Sequence, residues 1–529
     1  MPFFPIFFAL LLASSDAYKI VVFVPSMVKS QVVFNTRVAE TLAKAGHDMT
    51  LVMIDPLGGA KSSTVMIPEQ VKTYYLNTST GLSAETFDES VEKLIFKDLT
   101  LWDIKHFLDF AIRIFIGSCR KMVENKEFIK WLEAEKFDLA FSYVADICPV
   151  GVIHHAKVPT WIWLNSAPLI DFVAYYMGVP IIPSYVPPLA MASSDHMNFI
   201  ERTKSLIGYG MEIILWKWFI ADKQTVIFRE VLDPHFPDLV ELGKKCPLVM
   251  VNSNELYDYP RPTLAKIVNI GGVGYQMKDA KPLEPEFSRV VDTASDVILF
   301  SFGSVVPSDR MPMAWKMAFI EAFKRFPNYQ FIWRYVGSDI KDKLPSNVHI
   351  YKWLPQSDLL QHKKTRAFIT HGGYNSLQEA ISAGVPLVAV PMGGDQPRNA
   401  ELAERHGFAV RLEKSHIKAD AIAEALNKIL SDQSYSRNVK RLSQMVKKKP
   451  VSVAHLLVSW TEFVAEFKTL DNLVPAGVKL NFFQYHSLDV IALLLFVAVI
   501  ILFVALQIVK YVVRKLLSAF SRAEKPKTD

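Results

Sequence analysis

The sequence predicts an α/β protein in which two parallel-sheet halves face a crevice and one membrane-spanning helix follows. Three observations carry that reading. Short β-branched runs alternate with helical apolar spacing, a Pro-rich polar linker divides this alternation into two series, and one unbroken apolar run lies near the C-terminus.

Lys19-Ile20-Val21-Val22-Phe23-Val24 is the first strand. Val33, Val38, Leu42 and Ala45 follow at helical spacing, Gly46 stops that helix, and Thr50 to Ile54 is the next strand. Strand, helix, strand is a βαβ unit, which implies a parallel sheet with right-handed crossovers. Phe137 to Tyr143 and Thr160 to Leu164 are further strands. Pro180, Pro183, Pro187 and Pro188 break regularity. Leu206 to Ile220 is apolar but interrupted by Glu212 and Lys217, so it reads as an amphipathic or interfacial helix rather than a span. The linker is Ala280 to Glu286. Beyond it come strand Val297 to Ser301, helix Met313 to Phe326, and strands Gln330 to Tyr335, Ala367 to Thr370 and Leu387 to Val390. Two such halves place a ligand crevice between them.

Both ends belong to the membrane. MPFFPIFFALLLA is too short to span, and Ser15 and Ala17 suit cleavage of a signal peptide before Tyr18. Val490 to Val509 has only Gln507 as a strongly polar residue and is long enough, at about 1.5 Å per residue, to cross the hydrocarbon core. The tail from Lys510 carries six basic and two acidic residues, which accounts for +4 of the net +6 and puts the tail in the cytosol. Its lysines at 525 and 527 resemble a dilysine retrieval signal, and Asn77-Thr78-Ser79 is a glycosylation sequon. The expected divisions are a signal peptide at 1–17, halves at 18–284 and 285–450, a helical segment at 451–487, the span at 488–509 and the tail at 510–529.

Other classes are excluded by composition. The three cysteines of the 529 residues cannot build a disulfide scaffold, and no CxxC pair suggests zinc. The charge surplus is too small and dispersed for nucleic acid. A nicotinamide enzyme needs G-x-G-x-x-G after the first strand, whereas Val24 precedes Pro-Ser-Met-Val-Lys, and Gly272-Val273-Gly274 lacks its third glycine because position 277 is Met277.

The chemistry concentrates in Phe368-Ile369-Thr370-His371-Gly372-Gly373-Tyr374-Asn375-Ser376-Leu377-Gln378-Glu379. A strand enters a two-glycine turn and then a helix, a place where backbone approaches a ligand closely and helix N–H groups favour an anion. His371 can donate to that anion. Glu379 lies one turn beyond Asn375, where a carboxylate accepts from paired hydroxyls such as those of ribose. Upstream, Trp353 and Gln356 offer a stacking plane and a donor-plus-acceptor amide for a flat base. Asp395 and Gln396 follow a strand end and suit sugar hydroxyls. No D-x-D motif or metal-ligand spacing occurs, which points to a metal-free site.

Trp353-Leu354-Pro355-Gln356, followed by FITHGGYNSLQEAISAGVPLVAVPMGGDQPRNA from Phe368 to Ala400, resembles the signature of the UDP-glycosyltransferase family, most nearly its membrane-bound animal UDP-glucuronosyltransferases. SFGS at 301–304 and QYHSLDV at 484–490 match as well. The resemblance implies a GT-B fold, two Rossmann-like domains with the acceptor in the first and the UDP-sugar, a co-substrate rather than a cofactor, in the second. It implies uracil on Trp353 beside Gln356, the diphosphate held by Ser304, His371, Gly373, Asn375 and Ser376, ribose on Glu379, and the transferred sugar on Asp395 and Gln396.

The first half departs from the family. Its catalytic Ser-His pair reads Ser30-Gln31 here, and an amide cannot serve as a base near neutral pH. The supporting aspartate corresponds to Asp146, which would normally orient the histidine. Three readings follow: Asp146 or a neighbouring histidine, His154 or His155, takes the acceptor proton; the acceptor is already acidic or anionic; or the chain binds nucleotide sugar without turnover. The expected activity is inverting transfer of glucuronate or glucose from the UDP-sugar to a small lipophilic acceptor, as in conjugation and detoxification, in the endoplasmic reticulum membrane with a lumenal body. The alternative is a catalytically idle membrane subunit that pairs with itself or with active homologues. Arg398, two residues past Gln396, is a candidate partner for a glucuronate carboxylate.

Overall fold

The computed structural model describes residues 17–58, 65–96, 101–274, 282–303, 306 and 308–523. The expected signal peptide, the lysines of the terminal signal and Ser304 therefore lie outside the described residues. The chain divides into a body through Leu473 and a second unit from Val474.

The first sheet of the body has seven strands, β1 (Lys19–Pro25), β2 (Asp48–Asp55), β3 (Val71–Asn77), β4 (Leu139–Tyr143), β5 (Trp161–Asn165), β6 (Leu248–Val251) and β7 (Ile267–Asn269), in the order β3-β2-β1-β4-β5-β6-β7. All pairings are parallel. The second sheet has six strands, β8 (Asp296–Ser301), β9 (Tyr329–Arg334), β10 (Val348–Tyr351), β11 (Thr365–Thr370), β12 (Leu387–Ala389) and β13 (Ala409–Arg411), in the order β10-β9-β8-β11-β12-β13, again all parallel. Helices cover both faces of each sheet, so central strands bury both faces and read as continuous apolar runs. Ile20 to Val24 and Val297 to Phe300 are almost fully buried.

This is the two-Rossmann GT-B architecture that the sequence implies. Strand order reverses between β1 and β4 in one sheet and between β8 and β11 in the other, and ligands bind at the carboxyl ends of strands at such switch points. Beyond those ends stand Gln31, Tyr143 and Asp146 in the first half, and Gly303 and His371 in the second.

Several elements escape a pattern-based reading. Strands β7 and β13 have three residues each, and β3 is an edge strand whose buried and exposed positions do not strictly alternate. The linker ends in the helix Pro285–Thr293, whose first residue is the proline that seemed to break structure. The helix Val453–Phe467 returns to the first sheet and packs Leu457, Val464 and Ala465 into the core that holds Ile20 and Val22. A disulfide joins Cys119 to Cys148, while Cys246 is free and buried.

The apolar stretch near residue 206 forms the helix Phe199–Trp216 and a π-helical turn, Lys217–Ala221. One side of it packs through Tyr209 and Trp216. The other exposes Phe199, Leu206, Ile207, Met211 and Trp218. In the second unit, Leu488–Ala523 is one helix of 36 residues, apolar and long enough to cross a bilayer. It continues through Lys510, Arg514 and Lys515 because those side chains favour helix, so the charge boundary is not a backbone boundary.

Candidate functional site

A cavity of about 840 Å³ lies between the two halves of the body. The second half contributes Gly303, Arg334, Trp353, Gln356, His371, Gly373, Asn375, Ser376, Glu379, Asp395 and Gln396 to its walls, and the first half faces them with Lys29, Ser30, Gln31, Arg37, Tyr143 and Ser166. Apart from Ser304 and Arg398, every residue expected to bind the donor therefore borders one space.

Strand β11 delivers His371 to the turn before the helix Tyr374–Ala383. Gly303 and Gly373 sit against its ring, and a Cβ on either would come within 2.7 and 2.5 Å of imidazole atoms. Burial, with the Arg334 cation adding to it, pushes the His371 pKa down to about 4. The ring is neutral near pH 7 and offers one N–H. Among the described residues no side chain caps the helix at Gly373, which leaves its first-turn N–H groups available to an anion. Arg334, from the end of β9, donates to the Gly303 carbonyl and lies 5.7 Å from the centre of the Trp353 ring. It is the fixed positive charge on this wall.

Trp353 is 61% exposed and offers a face to the cavity. Gln356 donates to Glu379 Oε2 at 2.6 Å and to the Ser376 hydroxyl at 3.4 Å, which joins three of the expected donor residues in one cluster. Asp395 accepts from Asn399 at 2.8 Å, and burial raises its pKa. Gln396 commits its amide oxygen to the backbone N–H groups of Met392 and Gly393, at 2.8 and 3.3 Å. Its NH2 is the group left for the cavity.

The opposite wall carries Gln31 and Tyr143. Gln31 Nε2 donates to the Tyr143 hydroxyl at 2.8 Å. Burial pushes the Tyr143 pKa to about 12, so it is a hydrogen-bond donor and not a base. Asp146 accepts from Gln224 Nε2 at 2.8 Å and from the Cys148 N–H at 3.1 Å. Burial lifts its pKa to about 6. It lines a separate small cavity that shares only Tyr143 with the large one. His154 is exposed against Phe236, and His155 lies 3.9 Å from Glu133; neither borders the cavity.

Arg398 also departs from expectation. It is buried, pairs with Asp258 at 2.7 Å and lies 4.7 Å from the Tyr259 ring centre, outside the cavity wall. Positions 396 and 398 are two apart on the helix Gln396–Arg405, hence about 200° apart in direction. Among the described residues, the cations that line the cavity are Lys29, Arg37 and Arg334.

Residues 20–523 match the family model described as UDP-glucoronosyl and UDP-glucosyl transferase. The chain belongs to this family. UDP-glucuronosyltransferase 1A9 of Mus musculus is 31% identical, with 98% of this chain and 97% of the mouse protein aligned. UDP-glucuronosyltransferase 1-2 of Rattus norvegicus is 33% identical over 80% of this chain and 78% of its own length. Among solved structures, the glycotransferase of kitacinnamycin superposes with a TM-score of 0.58 at 16% identity, covering 87% of this chain and all of that one. UGT2 of Phytolacca americana, complexed with UDP-2fluoro-glucose and pterostilbene, superposes at 0.52 with 14% identity, covering 85% and 100%. Within this UDP-glycosyltransferase, sequence reasoning missed Arg334, Arg37 and Tyr143. Each stands on a strand or helix far from the signature, and only the sheet topology brings it in.

Proposed function

We propose that the protein transfers a hexosyl group, glucuronate or glucose, from a UDP-sugar to a small lipophilic acceptor with inversion at the anomeric carbon. The observation that carries this reading is the single cavity uniting Trp353, Gln356, Glu379, His371, Asn375 and Asp395 opposite Gln31. In it the uracil stacks on Trp353, the ribose hydroxyls donate to Glu379, and the diphosphate lies at the N-terminus of the helix Tyr374–Ala383. The acceptor nucleophile attacks from the first half while UDP leaves toward the second. Arg334, the helix N–H groups and the His371 N–H oppose the charge that develops on the leaving diphosphate. Asp395 and Gln396 hold the transferred sugar.

The acceptor proton is the weak step. Gln31 is not a base, Asp146 faces Gln224, and the two neighbouring histidines lie elsewhere. The leaving-group side carries Arg334, His371 and the helix N-terminus, so acceptors that arrive ionised or acidic are the ones this site serves best. The same Gln31–Tyr143 bond favours a second reading, a nucleotide-sugar-binding homologue that does not turn over and partners active relatives.

The long C-terminal helix anchors the chain in the membrane. The Cys119–Cys148 disulfide supports a body in an oxidising compartment, here the lumen of the endoplasmic reticulum. The test uses full-length protein with labelled UDP-glucuronate and UDP-glucose against carboxylic acids, phenols and alcohols. Transfer to any acceptor supports the enzyme; UDP binding with no transfer selects the second reading.

A further inference from the structure

The helix Lys29–Lys44 belongs to the first half, yet its side chains reach the second. Arg37 Nη2 lies 3.9 Å from Glu379 Oε1, and Asn375 Nδ2 donates to the Ser30 carbonyl at 3.4 Å. The other Glu379 oxygen already accepts from Gln356. Oε1 therefore faces a guanidinium from the opposite half across a gap wider than a hydrogen bond.

Arg37 is held in that pose by backbone. Gly274, at φ +72°, lies against the Arg37 stem, and a Cβ there would come within 2.7 Å of Arg37 Cβ and 2.8 Å of Cγ. Those are the near atoms of the side chain, so rotation of its far end cannot relieve the clash. Gly274, one of two glycines that fit no dinucleotide motif, acquires a role as the wall against which Arg37 is pressed.

We propose that Arg37 is a donor-binding residue and that the ribose site is shared between the two halves. A ribose hydroxyl both donates and accepts. Between Glu379, which only accepts, and Arg37, which only donates, it satisfies both at once. A nucleotide lacking these hydroxyls gains nothing from the arrangement. The donor ribose then ties the acceptor-side helix, with Gln31 on it, to the donor half.

This inference rests on the donor-site reading above, and the test separates the two. Binding of UDP and of 2′,3′-dideoxy-UDP is measured calorimetrically on the full-length protein in detergent. Arg37→Met weakens UDP by about tenfold or more, the worth of a charge-assisted hydrogen bond, and leaves dideoxy-UDP within about twofold. Arg37→Lys restores part of the loss. Gly274→Ala, which displaces the Arg37 stem with its charge intact, shows the same selectivity and covers the case in which Arg37→Met fails to fold. Equal losses for both nucleotides, or none for either, overturn the proposal while the donor site stands. A wild-type protein that binds no UDP overturns both.

Discussion

The Gln31 amide donates to the Tyr143 hydroxyl at 2.8 Å, so the side chain at the proposed base position is spent on a wall of the cavity. An imidazole at position 31 is expected to restore a group that accepts the acceptor proton. General bases contribute about 10²–10⁴-fold when well supported. Here Asp146 remains on Gln224, so orientation of the new ring is incomplete. Gln31→His is expected to raise kcat on aliphatic alcohols about tenfold, at the low end of general-base catalysis, and on phenols by less. Adding Gln224→Ala frees Asp146 and increases the gain. If kcat is unchanged on every acceptor, the proton leaves by a route that avoids position 31.

Asp146 gives a pH signature of its own. Its pKa rises from the ordinary 3.8 to about 6 because burial disfavours the carboxylate, against the pull of Gln224 and the Cys148 N–H. Between those values the folded chain keeps a proton that the unfolded chain has lost, so stability falls as pH rises from about 4 to about 6. The rise corresponds to an order of 3 kcal/mol. Asp146→Asn, which keeps both hydrogen bonds, removes the loss. Denaturant melts of the two proteins at pH 4 and pH 7 measure it. The expected result is that Asp146→Asn is relatively more stable at pH 7; an unchanged difference between the two pH values contradicts the assignment.

Arg398 is a structural cation. Its partner Asp258 is buried, and the charge of Arg398 helps hold that carboxyl below its ordinary range against desolvation. Arg398→Ala leaves a buried carboxylate uncompensated, which costs about 3–5 kcal/mol. The ratio of KM for UDP-glucuronate to KM for UDP-glucose is expected to stay within about twofold, since neither carboxylate nor hydroxyls meet this residue. Steady-state kinetics at a temperature where the variant remains folded decides the point. A selective rise for UDP-glucuronate would return Arg398 to the cavity.

The donor wall was legible because it is contiguous. Trp353 to Gln356 and His371 to Glu379 sit on two short stretches whose strand-turn-helix order fixes where the side chains go. What sequence could not show is which distant residues the sheet order gathers. Tyr143 ends β4 and Arg334 ends β9, and each is an ordinary strand residue until the switch points bring it to the cavity. Arg398 misled for the converse reason, since proximity in sequence says nothing about helix face. Pairing of Cys119 with Cys148 was equally hidden, because three cysteines fix no connectivity. The short strands β7 and β13 carry too few residues for periodicity to mark them.

The exposed side of Phe199–Trp216 and the following turn is where the interfacial expectation meets its test. Phe199 is 75% exposed, Leu206 63% and Trp218 62%, on one stretch whose inner side is packed. Lys223 lies over the Phe219 ring and Arg202 over Phe199, so cations rim the apolar side chains. Aromatic and aliphatic residues with a basic rim suit the boundary between headgroups and acyl chains. A soluble surface gains nothing from this composition, whereas burying each large apolar side chain fully stabilises by about 1.5–3 kcal/mol. With the full-length protein in nanodiscs, brominated lipids are expected to quench fluorescence of the wild type more than that of Trp218→Phe, and to quench Leu206→Glu/Ile207→Glu as weakly as Trp218→Phe. Quenching that is identical in all three proteins means that this face stays in water.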